Sequence, residues 1–140
     1  MTDTLTTLMS DARAVPANFT FFRLNGIGTT RGGVVDDPAL GDKHLLPVWF
    51  TVLFVPVFLY GVYLGSFVPR HDGAPDRNRQ RLHARLTGKS LNAAYGGAWF
   101  WRVCGASALH YLKNVAWVLG VVLVLAALGG AFVAWMRIGR

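Results

Sequence analysis

Glutamate is absent from this chain of 140 residues, and all seven of its acidic side chains are aspartates. None of the seven lies inside either long apolar run, so the sequence lacks the intramembrane acid that transporters and proton relays use. General acid–base catalysis needs titratable groups in a sheltered pocket. No such set can be assembled, so no catalytic residue is identified and no enzyme is expected. Cys104 is the only cysteine, which excludes an internal disulfide and leaves a small, half-buried side chain as its plainest role. Charge of both signs is scarce, at 15% of residues against about 25% in a typical soluble domain. Residues 1–18 are polar and lack the apolar core of a signal peptide, so insertion is expected to rely on internal segments.

Hydrophobic residues make up 53% of the chain, and its mean hydropathy is +0.37. Residues 45–68 hold no charge. As a helix they would extend about 36 Å, against roughly 30 Å of bilayer hydrocarbon. Pro47 suits a helix start, and Pro56 would kink the middle; a re-entrant hairpin turning at Pro56 is the competing reading. Residues 115–135 form a cleaner span, preceded by Lys113 and Asn114 and followed by Arg137 and Arg140. The expected fold is therefore mostly α and integral to a membrane, with two transmembrane helices, the first Pro-kinked. Residues 1–44 are a polar segment with a short Gly-rich, hairpin-like or irregular element. Residues 69–92 are a basic connector. Residues 93–112, rich in aromatics but carrying Arg102 and His110, read as an amphipathic helix in the headgroup plane, before the second span and its basic end at 113–140. A bacterial inner-membrane, multi-pass location follows from this reading.

The apolar runs carry small residues at helical spacing: Gly61 and Gly65 in the first, Ala126, Gly130 and Ala134 in the second. Such rows let helix backbones approach closely. Trp49, Trp99, Trp101, Trp117 and Trp135 are placed as interfacial aromatics. The 14 Lys and Arg outnumber the 7 Asp and crowd beside the apolar runs without any nucleic-acid-binding motif, which excludes nucleic acid as the expected partner. Arg70, Arg77, Arg79, Arg81, Arg85, Lys89 and Arg102 are the candidates for contact with anionic lipid headgroups or a partner. The histidines, His44, His71, His83 and His110, lie outside both runs and no two are four apart, so no metal site and no cofactor is expected. Gly26-Ile-Gly28-Thr-Thr has part of a phosphate-cradling loop, but Arg31 stands where the dinucleotide fingerprint needs its third glycine.

Asn25-Gly-Ile-Gly-Thr-Thr30 and Pro47-Val-Trp-Phe-Thr-Val-Leu-Phe-Val-Pro56 together resemble a group of small, uncharacterised bacterial membrane proteins. These pair an N-G-x-G-T-T element with W-F-x-x-x-F-x-P. The likeness covers about residues 19–66. The group commonly has Lys before the Trp-Phe pair, where this chain has Val48, and often a second Pro soon after the first, where Phe58 and Leu59 stand here. The resemblance implies a bacterial membrane protein and carries no activity.

Together these observations suggest an accessory or structural subunit of a larger bacterial membrane complex, packing through its small-residue faces and holding anionic lipid. Respiratory and photosynthetic assemblies are natural hosts for such subunits. The alternatives are a self-associating pore or small-molecule handler, and a cofactor-binding subunit using His110 or Cys104.

Overall fold

The uncharged run at residues 45–68 is dense in β-branched and aromatic side chains: Val48, Thr51, Val52, Val55 and Val57 alternate with Trp49, Phe50, Phe54 and Phe58. That composition suits a pleated, half-buried surface better than a helix. In a computed structural model of the chain the run is a hairpin of two long strands, β5 (Lys43–Val52) and β6 (Val55–Pro69). The structure describes residues 3–16 and 19–139; Ala17, Asn18 and Arg140, which fall in the expected polar tail and basic end, lie outside the described residues. Five further strands complete an antiparallel sheet: β1 (Arg13–Ala14), β2 (Arg23–Leu24), β3 (Ile27–Arg31), β4 (Val35–Asp36) and β7 (Pro75–Leu86). Their order is β1-β7-β6-β5-β3-β2, with β4 also beside β5. Helices α1 (Thr4–Met9), α2 (Gly88–Tyr95) and α3 (Ala98–Ile138) accompany the sheet.

The protein is thus a mixed α/β structure and not the two-span, mostly α protein expected. The first span is overturned because the part of the hairpin away from its turn (Leu45–Val48 and Val62–Gly65) is covered on both faces, which removes the polar alternation that marks a half-exposed strand. On one face Leu45, Val62, Leu64 and Leu86 bury against Leu8 of α1, Leu91 of α2 and Val103 of α3. On the other, Leu46, Val48 and Tyr63 bury beneath Val15, Phe19 and Leu82. Neither proline kinks a helix. The carbonyl of Pro47 accepts from the Gly32 amide at 2.7 Å, so its missing N–H faces the break between β3 and β4. Pro56 sits at a bulge near the start of β6, where a strand tolerates proline.

The basic connector at 69–92 is overturned as well: most of it is β7, which pairs with β6 along its length, and then α2. Bulges between Leu64 and Gly65, and between Phe67 and Val68, bend these strands and increase their twist. The Gly-rich element of the N-terminal segment is the β2–β3 hairpin, whose outer strand joins the edge of the same sheet. The Asn25–Thr30 and Pro47–Pro56 segments lie side by side there: Gly28 pairs with Thr51, Thr29 with Phe50 and Thr30 with Trp49. The β2–β3 turn is Asn25-Gly26, with φ of 49° and 83°, and the β5–β6 turn is Leu53-Phe54, with φ of 50° and 65°. Asn and Gly suit that left-handed geometry, whereas Leu and Phe hold it at about 1–2 kcal/mol each.

The expected interfacial helix at 93–112 does not exist as a separate element. Gly96 and Gly97 end α2, and α3 then runs unbroken for 41 residues, about 62 Å at the α-helical rise. Lys113 and Asn114, with no Gly or Pro between them, continue the helix and do not break it. Its first part lies against the sheet through Val103, Ser107 and Tyr111, spaced four apart on one stripe and all buried. Trp49 Nε1 donates to Ser107 Oγ at 2.7 Å, and the Tyr111 hydroxyl donates to the Arg31 carbonyl at 2.9 Å. Helix and backbone meet closely at two glycines: a Cβ on Gly33 would lie 2.3 Å from the Ala106 carbonyl oxygen, and one on Gly32 2.7 Å from Ser107 Oγ.

Gly33→Ala should therefore lower stability by about 1–3 kcal/mol, as overfilling a packed contact does. Gly88→Ala, whose new Cβ meets nothing within 4 Å, should stay within roughly 0.5 kcal/mol. Urea unfolding in mild detergent, followed by the strand signal in circular dichroism, compares the two; equal midpoints would contradict this account of how the helix docks.

Candidate arginine groove and membrane helix

Beyond Tyr111 the character of α3 changes. From residue 119 onward every described residue is exposed, and apolar side chains point in all directions around the helix. A helix apolar all round is a membrane span or the core of a large protein, and no part of this domain covers it. Among the described residues α3 is the one helix long and apolar enough to cross a membrane. The multi-pass expectation is thereby corrected to a single candidate span. Ala126, Gly130 and Ala134 lie four apart along it, and nothing stands within 4 Å of a Cβ added at Gly129 or Gly130.

The other small-residue pair is not a helix-packing motif. Gly61 and Gly65 belong to β6, and each makes room for a polar side chain. A Cβ on Gly61 would press on the Arg85 guanidinium at 3.1 Å, and one on Gly65 on His44 Nε2 at 3.3 Å. Arg85 uses that room to donate to the Tyr60 carbonyl at 2.9 Å and to lie 5.2 Å above the Tyr60 ring. The aromatic set divides as well. Trp49 is half-buried between β5 and α3, tied to Ser107, and is not an interfacial anchor. Trp99 donates to Asn92 Oδ1 at 2.6 Å and pins the corner between α2 and α3. Trp101, Trp117 and Trp135 are exposed on α3.

The basic residues read as the 69–92 connector, and Arg102 beyond it, are spread over the fold. Arg70 pairs with Asp76 at 3.7 Å, Lys89 with Asp11 at 3.2 Å and Arg102 with Asp37 at 3.3 Å. Arg102 also lies 5.6 Å over the Tyr95 ring, while the Ala39 amide, donating to Asp37, holds that carboxyl below its usual range. Arg77 is exposed on β7. Arg79 and Arg81 face a groove of about 840 Å³, where Arg23 and Arg31 from the β2–β3 hairpin join them. Thr29, Thr30, Phe21, Val68 and Gln80 complete its lining. No acidic side chain is among these residues, so the four guanidinium groups share one field of positive potential, the arrangement that concentrates anions. The sequence reading found Arg79 and Arg81 but missed Arg23 and Arg31. The signal was there in part, since Arg31 was the residue that broke the dinucleotide fingerprint, but nothing local joins residues 23–31 to 79–81.

Cys104 is half-buried and His110 exposed on α3, its ring edge-on to Tyr111 at 5.0 Å. Among the described residues no three His, Cys or Asp side chains gather as a metal site would require. His44 is the most enclosed histidine, 1% exposed and lying against the Phe67 ring at 4.3 Å. Burial pushes its pKa below the ordinary 6.5. Comparison of the chain with family models, curated proteins and solved structures gives no match, and no family is assigned.

The buried His44 couples folding to pH. Its folded pKa lies below 6.5, so as pH falls through that value the unfolded chain takes up a proton that the folded chain refuses, and stability drops. Between pH 7.5 and 5.5, urea midpoints should fall less for His44→Gln than for the parent, the single-site limit being about 1.4 kcal/mol per pH unit. The slope should shrink and not vanish, because burial lowers His83 too. Identical pH profiles would rule out His44 as the source.

Proposed function

We propose that the chain is an accessory subunit of a larger membrane assembly, held by α3 as a single span, with its sheet domain kept at the bilayer surface. One observation carries this reading: a continuous helix whose first third is packed on a folded domain and whose described residues from 119 onward are all exposed and, Arg137 apart, apolar or glycine. Residues 115–135 supply about 31 Å of helix, close to the roughly 30 Å of bilayer hydrocarbon. Trp117 and Trp135 lie near the two ends of that stretch, with Lys113 and Arg137 just beyond, as interfacial anchoring favours.

Two surfaces supply the contacts. Ala126, Gly130 and Ala134 form a smooth row on which a partner helix can lie backbone to backbone, where packing and not hydrophobicity drives association. The groove of Arg23, Arg31, Arg79 and Arg81 receives an anionic group of the partner or of the surrounding lipid, through charge-assisted hydrogen bonds. No catalytic step is assigned: the titratable groups with shifted pKa are distributed over the fold and do not converge on one pocket.

The test is recovery of the tagged full chain from its native membrane in mild detergent, with everything that accompanies it identified. A stoichiometric partner should appear, and Gly130→Leu should reduce its recovery by about tenfold, equivalent to roughly 1.4 kcal/mol of association. Arg79→Ser/Arg81→Ser should weaken recovery in a salt-dependent manner. Recovery of this chain alone, or unchanged recovery with Gly130→Leu, would defeat the accessory reading; oligomers of the chain by itself would favour self-association.

A further inference from the structure

The β2–β3 and β5–β6 turns are joined. The Phe54 amide donates to the Gly26 carbonyl at 3.1 Å, the Phe54 ring packs where a Gly26 side chain would be, and the Arg23 guanidinium lies 5.0 Å over that ring. The two turns therefore move as one double tip. Six large apolar side chains are exposed on it: Leu24, Ile27, Val52, Leu53, Val57 and Phe58, with Leu24 at 64% and Leu53 at 56%. No acidic residue occurs within 19–35 or 43–69. At the β5–β6 turn, moreover, the chain keeps Leu and Phe in a left-handed conformation that Asn-Gly would adopt without strain. Strain retained at an exposed site points to a use for the side chains that cause it.

The path of α3 tells which way this tip faces. Ala106 meets Gly33, Ser107 meets Gly32, and Tyr111 bonds to Arg31. Advancing along the helix thus means going backwards from Gly33 into β3, whose other end adjoins the Asn25-Gly26 turn. The helix leaves the sheet on the side where the double tip projects.

We infer that the double tip inserts into the interfacial layer of the same bilayer that α3 crosses. Its aliphatic and phenyl groups enter the upper acyl region, and Arg23 sits at the level of the lipid phosphates. The domain then has two membrane attachments, one spanning and one shallow, which together set its orientation. The inference rests on α3 being a span, and its test keeps the two separate.

Full-length chain carrying Cys104→Ser and one new cysteine, at Leu53, Leu125 or His71, would be nitroxide-labelled and reconstituted into vesicles of phosphatidylcholine and phosphatidylglycerol. Collisions with oxygen, which partitions into lipid, and with a water-soluble nickel chelate then report depth. The label at Leu125 should lie deep, the label at Leu53 should show an oxygen-to-nickel ratio several-fold above that at His71, and His71, at the far end of β6, should be aqueous. Val57→Cys repeats the measurement should Leu53→Cys fail to fold. A deep Leu125 with Leu53 as aqueous as His71 overturns the insertion and leaves the anchor standing. An aqueous Leu125 removes the anchor itself. A Leu53 label shielded from both reagents points to protein contact and overturns lipid insertion equally.

Discussion

The helix α3 can lie against the sheet only because the chain between β3 and β4 has no side chains at Gly32 and Gly33. The approach there is closer than any Cβ permits, and it brings the Ser107 and Tyr111 hydroxyls within hydrogen-bonding reach of Trp49 and the Arg31 carbonyl. Much of the molecule's arrangement depends on that contact. It sets the direction in which the apolar part of α3 departs from the sheet. It also ties the β2–β3 hairpin, which supplies half of the arginine groove's basic side chains, to α3.

Part of this could be read from composition. An uncharged stretch at 115–135 flanked by Lys113 and Arg137 predicts a helix long and apolar enough to cross a membrane, and the helix is there. Residues 45–68 satisfy the same test of length and charge, yet fold as a hairpin. Counts of apolar residues do not distinguish a span from two adjacent strands buried on both faces, whose alternation is erased by cover from α1, α2 and α3 on one side and from Val15 and Phe19 on the other. The distinguishing sign was residue type: residues 43–69 contain seven aromatics and three prolines but no alanine, whereas 115–135 contain five alanines and no proline; valine is frequent in both. The Asn25-Gly26 pair was a direct hairpin signal, whereas Leu53-Phe54 hides a turn of the same kind, since nothing in those residue types calls for positive φ.

Function-bearing residues were legible in proportion to how local they are. The row Ala126, Gly130 and Ala134 is a property of one helix and could be seen in the spacing alone. Gly61 and Gly65 have that spacing too, but in a strand their purpose is clearance for Arg85 and His44. The arginines illustrate the converse. Six basic residues looked like a single connector, with Arg102 beyond it, and folding disperses all seven, pairing Arg70 with Asp76 at the start of β7, Lys89 with Asp11 after α1, and Arg102 with Asp37 just after β4. Only Arg79 and Arg81 converge with Arg23 and Arg31, through strand curvature that bulges impose and that no short motif encodes.

The unbroken α3 also has a mechanical consequence. With no proline or flexible joint between its docked and free parts, the helix behaves as a rigid lever clamped at one end by the sheet. Helices tilt to match the thickness of the bilayer they cross. With α3 as the span proposed above, a thicker or thinner membrane would turn the whole sheet domain through the same angle, and would raise or lower its arginine groove relative to the bilayer.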